Sequence, residues 1–262
     1  MVSNELLIGV VTNYELLTSS RMSLGESGDR IVTTRRLATK LLPALALLAA
    51  VSLPTAAATP PAQIDHILLG IDDLDRGMKA FEEATGVKPV VGGKHPRGTH
   101  NALVSLGDGT YVEIIAVQKG VTPPDDFAGL AQLHTLTPIG WAVSSKDSAQ
   151  LRSRLEAAGM AVTESSPGSR TTPAGKTLSW QTFGLKDNFE EAPFFIVWSA
   201  QTAHPSTTSP GGCKLQQWRI AGPHRKNLEQ LRSALELRVD VADAKITSMR
   251  LALACPKGAV TF

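Results

Sequence analysis

Apolar residues along the chain come in two rhythms. In some stretches they are nearly continuous, as in buried strands; in others they recur every three or four positions, as on one face of a helix. The run IDHILLGI (Ile64 to Ile71) has the first rhythm. Asp72 or Asp73 then offers an N-cap carboxylate. Leu74, Met78 and Phe81 follow at helical spacing, Gly86 supplies a stop, and VKPV begins another strand. HNALVSLGD and TYVEIIAV continue as two strands joined through the turn GDG. The same order returns further along. Ile139 to Val143 form a strand, Asp147 the cap, Leu151, Leu155 and Ala158 the helical face and Gly159 the stop; MAVTE is the next strand, and TLSWQTFGL and APFFIVWSA follow. A third round has Leu215 to Ile220 as a strand, Leu228, Leu231 and Leu235 as a helical stripe, then ITSMRLALACP and GAVTF.

The repeat predicts an α+β protein of two paired βαβββ modules and a third, shorter βαββ segment. Each module makes a curled mixed sheet with its helix outside, and two modules side by side enclose a central cup suited to a small ligand. The Pro/Gly-rich stretches QKGVTPPDDFAG and QTAHPSTTSPGG read as linkers. The expected divisions are residues 59–120 and 121–203 for the modules and 204–262 for the C-terminal segment packed on the same domain.

Within the strand TYVEIIAV a carboxylate sits among apolar neighbours, and an unpaired charge out of water is costly. Side chains alternate along a strand. Val112, Ile114 and Ala116 therefore suit the face under the helix, and Tyr111, Glu113 and Ile115 the cup. On the preceding strand Thr99, Asn101, Leu103 and Ser105 are assigned to the cup, and on the first strand His66 shares a face with Leu68 and Gly70. Imidazole and carboxylate converging from two strands can share a divalent ion such as zinc, iron, manganese or nickel, or can satisfy each other directly. His95, in the bend GGKHPRG, is a candidate third ligand; His100 has the wrong parity. Trp141, Trp180 and Trp198 are candidate apolar walls, which core packing explains equally well. His134, His204 and His224 fall in loops or at a helix start and are expected to be solvated.

Composition changes this picture little. Hydrophobic residues make up 42% of 262 and charged residues 19%, with a net charge of +2. No basic stripe or interleaved aromatic run points to nucleic acid. Ahead of the repeats, Arg35, Arg36 and Lys40 precede the apolar run LLPALALLAAVSL, and Ala56-Ala57-Ala58 offers small residues for a peptidase. That is the order of an export signal, which makes residues 1–58 a leader and places the mature chain in the periplasm or outside the cell. The twin arginine leaves the twin-arginine and general routes both open. The run is too short for a membrane span, so no stable anchor is expected. The two cysteines, Cys213 and Cys255, flank strands of the last segment and could form one bridge in an oxidising compartment.

The segment from Ile64 to Val117 carries DH at its start, GGKHPRGTHN in its middle and YVE on its last strand. It resembles the glyoxalase-like domains of the vicinal oxygen chelate (glyoxalase, bleomycin resistance and dioxygenase) superfamily. The resemblance implies metal ligation by His66 and Glu113, which would also be the catalytic residues, with Asn101, Thr99, Tyr111 and Trp141 in contact with substrate. The second module should supply two more ligands. Its equivalent positions, Gly140 or Trp141 and Phe195 or Ile196, carry none. Two functions are therefore expected in parallel: an exported metal-assisted lyase, isomerase or dioxygenase acting on a small oxygenated molecule, or a metal-free small-molecule binding protein. A homodimer is compatible with either.

Overall fold

Eight strands close into a barrel in a computed structural model that describes residues 62–122 and 125–262. The leader at residues 1–58 lies outside the described residues. The first module runs β1 (Gln63–Gly70), α1 (Leu74–Thr85), β2 (Val90–Lys94), β3 (Thr99–Gly107) and β4 (Thr110–Val117). The second runs β5 (Thr137–Ser144), α2 (Ser148–Ala157), β6 (Ser166–Thr171), β7 (Thr177–Phe183) and β8 (Phe194–Trp198). Around the barrel the order is β1-β4-β3-β2-β6-β7-β8-β5. The α+β class and the βαβββ modules are those expected.

Both module helices begin as the sequence indicates. The carboxylates of Asp73 and Asp147 accept from the backbone amides of Arg76 and Gln150. Gly86, in the left-handed conformation at φ +79°, ends α1. Leu74 and Phe81 of α1 and Leu151 and Leu155 of α2 are buried in one apolar layer with the outward sides of the strands, among them Ile67, Leu69, Val104, Val112 and Ile114. The inward sides are left for the cavity.

The two seams between modules differ. β1 and β5 pair antiparallel from Gln63 opposite Ser144 to Gly70 opposite Thr137, with bulges between Ile64 and His66 and between Leu68 and Leu69. β2 and β6 meet only at Lys94 opposite Thr171. Gly93 stands at that second seam with φ +146°, and a Cβ there would fall 2.1 Å from the Thr171 carbonyl oxygen. Only glycine permits that approach. The strand expected at MAVTE lies later, at Ser166–Thr171; Val162 makes just an isolated bridge to Leu185.

The C-terminal segment is β9 (Lys214–Gly222), α4 (Arg225–Leu235), β10 (Asp240–Asp243), β11 (Ser248–Cys255) and β12 (Gly258–Thr261). It has one short strand more than the expected βαββ. Its sheet is separate, ordered β10-β9-β11-β12, with β9 parallel to β10 and antiparallel to β11. This is not the pairing of the barrel modules, where the first strand lies parallel to the fourth. Leu228, Leu231 and Leu235 of α4 join the barrel's outer apolar layer. Trp218 faces Trp141 at 6.4 Å between ring centroids, and Phe262 stacks on Phe81 at 5.4 Å. A Cys213–Cys255 disulfide closes a loop with a sequence separation of 42. On chain-entropy grounds such a closure stabilises the fold by about 4 kcal/mol.

The linkers also have structure. The first contains a 3₁₀ helix (Asp125–Gln132), and Leu130 and Leu133 pack on Leu68 and Ile115. The second contains a single turn, α3 (Pro205–Thr208), and lies against β3: the Ser105 amide donates to the Pro210 carbonyl at 2.8 Å and its hydroxyl to the Ser206 carbonyl at 2.7 Å. No helix among the described residues is long and apolar enough to cross a membrane.

Candidate functional site

The barrel encloses a cavity of about 430 Å³. The parallel register of β1 with β4 sets His66 opposite Tyr111 and Leu68 opposite Glu113. The antiparallel register of β3 with β4 sets Leu103 opposite Glu113 and Asn101 opposite Ile115. Because the strand period is two, His66, Thr99, Asn101, Tyr111, Glu113 and Ile115 all reach the cavity. His95 enters from the bend after β2.

These groups converge on the Glu113 carboxylate. Asn101 Nδ2 donates to Glu113 Oε1 at 2.9 Å. His66 Nε2 lies 3.6 Å from Oε2, and His95 Nε2 lies 4.0 Å from Oε1. Both imidazole contacts are too long for hydrogen bonds, so the expected direct His66–Glu113 bond is absent. Asn101 Oδ1 accepts no bond among the described residues. It rests against Gly92, where a Cβ would fall 2.3 Å from it. Gly92 is therefore what leaves room for the amide that holds Glu113.

The other ring nitrogens are held from behind. His95 Nδ1 is 2.9 Å from Thr99 Oγ1, and burial lowers the His95 pKa against the opposing pull of Glu113, favouring a neutral ring. His66 Nδ1 is 2.7 Å from Asp65 Oδ1. Asp65 is fully buried, and burial alone would raise its pKa. Bonds from His204 and His66 outweigh that, and its carboxyl is held well below the usual carboxylate range. An ionised carboxylate only accepts, so each nitrogen facing it carries a hydrogen: His66 Nδ1, His204 Nε2 at 3.0 Å and Trp198 Nε1 at 3.1 Å. The Ser206 amide donates to His204 Nδ1 at 3.3 Å, consistent with that tautomer. Hence His66 turns its Nε2 toward Glu113, its orientation fixed from the rear. Tyr111 stacks on His66 at 4.7 Å. Burial, reinforced by Asp65 and Glu113, raises its pKa well above the ordinary value, so the phenol stays protonated.

Three sequence expectations need correcting. Trp141 does not meet the cavity. It pairs in register with Ile67 on the outward side, donates from Nε1 to the Glu191 carbonyl at 3.0 Å and packs on Trp218. Phe195 likewise faces outward and stacks on Phe183 at 4.9 Å. The register places Phe194 opposite Ala142, as Glu113 stands opposite Leu68. Counting back from the caps Asp73 and Asp147 puts Gly140 where the first module has His66. The second module thus brings Phe194, Ile196 and Trp198 to the cavity. Finally, His204 is not solvated but bonded to Asp65. His134 and His224 are exposed, as expected, beside Asp72 and Glu191 respectively.

Sequence reading did not single out Asp65 or Arg170. The first was legible only as the neighbour of His66 in DH. The second lies in the polar stretch SPGSRT, which has no strand rhythm. Arg170 is buried and lines the cavity, its Nη1 donating to the Gly92 carbonyl across the narrow seam.

Among the described residues, no set of three or more His, Cys, Asp or Glu side chains is already gathered as a metal site. The donor chemistry nevertheless fits one divalent ion. Two imidazoles with Nδ1 engaged elsewhere turn Nε2 toward the two oxygens of one carboxylate. Ligands at bond lengths of about 2.1 Å can stand no more than about 4.2 Å apart, and the 3.6 Å and 4.0 Å separations lie inside that limit.

A family model described as a glyoxalase-like domain matches residues 64–236. No curated protein sequence matches. Among solved structures, a hypothetical protein from Staphylococcus aureus is similar at TM-score 0.55 and 17% identity, covering 71% of this chain and 88% of that one. Methylmalonyl-CoA epimerase from Mycobacterium tuberculosis is similar at TM-score 0.39 and 17% identity, covering 56% and 95%. A Mn(II)-bound glyoxalase from Novosphingobium aromaticivorans is similar at TM-score 0.38 and 16% identity, covering 66% and 52%.

Proposed function

Because the chain belongs to the glyoxalase-like domain family of the vicinal oxygen chelate superfamily, we propose that it is an exported enzyme acting on a small oxygenated molecule in the cavity around Glu113. The observation that carries this reading is the convergence of His66, His95 and Asn101 on one buried carboxylate. Asn101 occupies Glu113 Oε1, and the one ionisable partner of Oε2 among the described residues is the more distant His66 Nε2. Without a metal, Oε2 is the atom open to take a proton from a bound molecule, the work of a general base; with a metal held by His66, His95 and Glu113 it would serve as a ligand instead. Tyr111, kept protonated, packs flat on His66 and limits how that ring can turn.

His66, His95 and Glu113 are the residues that would hold a divalent cation, which when bound would polarise a substrate oxygen as a Lewis acid. Inductively coupled plasma mass spectrometry on the mature protein, purified anaerobically at neutral pH, is expected to find about one equivalent of a transition metal. Less than about a tenth of an equivalent would favour a second reading, a metal-free binding cup. The apolar side chains of Phe194 and Ile196 in the second module support that alternative.

Export is supported by the order of basic, apolar and small residues before Pro60 and by the Cys213–Cys255 bridge, which suits an oxidising compartment. Intact mass of the secreted protein should correspond to a chain cleaved near Ala58. A mass that retains the full leader would rule out processing there.

A further inference from the structure

A buried guanidinium needs a partner for its charge as well as for its donors. Arg170 has half of this. Nη1 donates to the Gly92 carbonyl, but no carboxylate of the described residues lies within ion-pair distance, and that is its one hydrogen bond among them. Arg170 is only 4% exposed, yet it lines the cavity. Its β6 strand adjoins β2 at the barrel's narrow seam, and Arg170 lines the same cavity as Glu113. Burial lowers its pKa and the charge of Glu113 opposes that effect, so the guanidinium stays charged. The other cations lining the cavity, Arg97 and Lys186, belong to exposed residues. One buried positive charge matches one negative charge. The planar fork of Arg matches a carboxylate in two parallel bonds. Nearby, Trp180 and Trp198 lie 5.2 Å apart between ring centroids, and with Phe194 and Ile196 they give the cavity an apolar side.

From this arrangement we infer that the ligand is a monocarboxylate with an apolar or aromatic body, its carboxylate seated on Arg170 and its body against the second-module wall. The inference rests on the proposed function for the location of the site and adds the class of molecule that fills it. The second module thereby acquires a role: it lacks metal ligands because its side of the cup recognises the substrate. A phosphate dianion is the poorer match, since one guanidinium leaves a negative charge uncompensated beside Glu113.

Three probes that share one ring test this on the full chain with its disulfide intact: phenylacetate, phenylacetamide and phenyl phosphate. Quenching of tryptophan fluorescence reads binding, because Trp180 and Trp198 line the cavity. Phenylacetate should bind at least about tenfold more tightly than the other two, the scale of one charge-assisted pair. Arg170→Gln should erase the preference for acid over amide and leave amide binding within about twofold, while Arg170→Lys should restore part of it. Equal affinity for acid and amide, tightest binding by phenyl phosphate, or no binding by any probe up to its solubility would each overturn the inference. The wild-type comparison needs no variant, so it stands even if Arg170→Gln fails to fold. Metal content separates the two readings. Metal uptake without acid preference sinks the inference alone; acid preference without metal uptake sinks the enzymatic reading alone.

Discussion

Glu113→Gln is expected to weaken Co(II) binding by more than about 100-fold while leaving the fold as stable as the parent or slightly more so. Removing even an outer partner of a metal ligand costs about 10–100-fold in affinity, and here the ligand itself loses its charge. Stability should move the other way because the Glu113 charge is buried and has no close cationic partner among the described residues. Its one hydrogen bond under 3.5 Å comes from the neutral amide of Asn101, and the imidazoles stand off at 3.6 Å and 4.0 Å. Glutamine keeps the shape and an oxygen for Asn101 and removes the desolvated charge. Visible absorption of Co(II) during titration, paired with chemical denaturation, reads both quantities. Unchanged Co(II) affinity would remove Glu113 from the metal site. A loss of stability comparable to a core deletion would make it a structural residue.

Asp65→Ala carries the largest effect expected on the fold, about 3–5 kcal/mol. The carboxylate is fully buried and accepts from three N–H groups, on His66, His204 and Trp198. These come from β1, the second linker and β8, so one side chain ties together three distant parts of the chain. Alanine leaves three buried donors without an acceptor, and such unpaired groups cost their full desolvation. Asp65→Asn should lose less, since one acceptor oxygen remains, although its amide hydrogens face other donors. Urea denaturation checks both variants. A loss below about 1 kcal/mol for Asp65→Ala, the level of ordinary surface substitutions, would mean that the three donors find water instead.

Local signals in the sequence reached far into this structure. Asp73 and Asp147 cap their helices, and Gly86 ends α1 in the left-handed conformation. Parity alone placed Glu113, Tyr111, Asn101 and Thr99 inside, because a closed barrel forces strict alternation between cavity and outer layer. Trp141 stays open between cup wall and core packing, because the sequence leaves a one-residue choice between Gly140 and Trp141; the ladder settles it by pairing Trp141 with Ile67 and Gly140 with Leu68. Arg170 escaped notice for another reason: Pro167 and Gly168 make its strand read as a turn, and its burial depends on the Gly92 carbonyl 78 residues away. His204 sits in a Pro- and Ser-rich stretch typical of solvent-facing loops, and its partner Asp65 is 139 residues distant. Such pairings are settled by closure of the barrel rather than by neighbours along the chain.

The matched family region stops at residue 236, but the physical unit does not. A polypeptide cut there would keep β9 and α4 and lose both strands that flank β9, because β10 and β11 come later. Cys213 would be left as a lone thiol, and Phe81 would lose the ring of Phe262. The 26 residues after position 236 are therefore no dispensable appendage, and their removal would unmask greasy surface on α1 and α4.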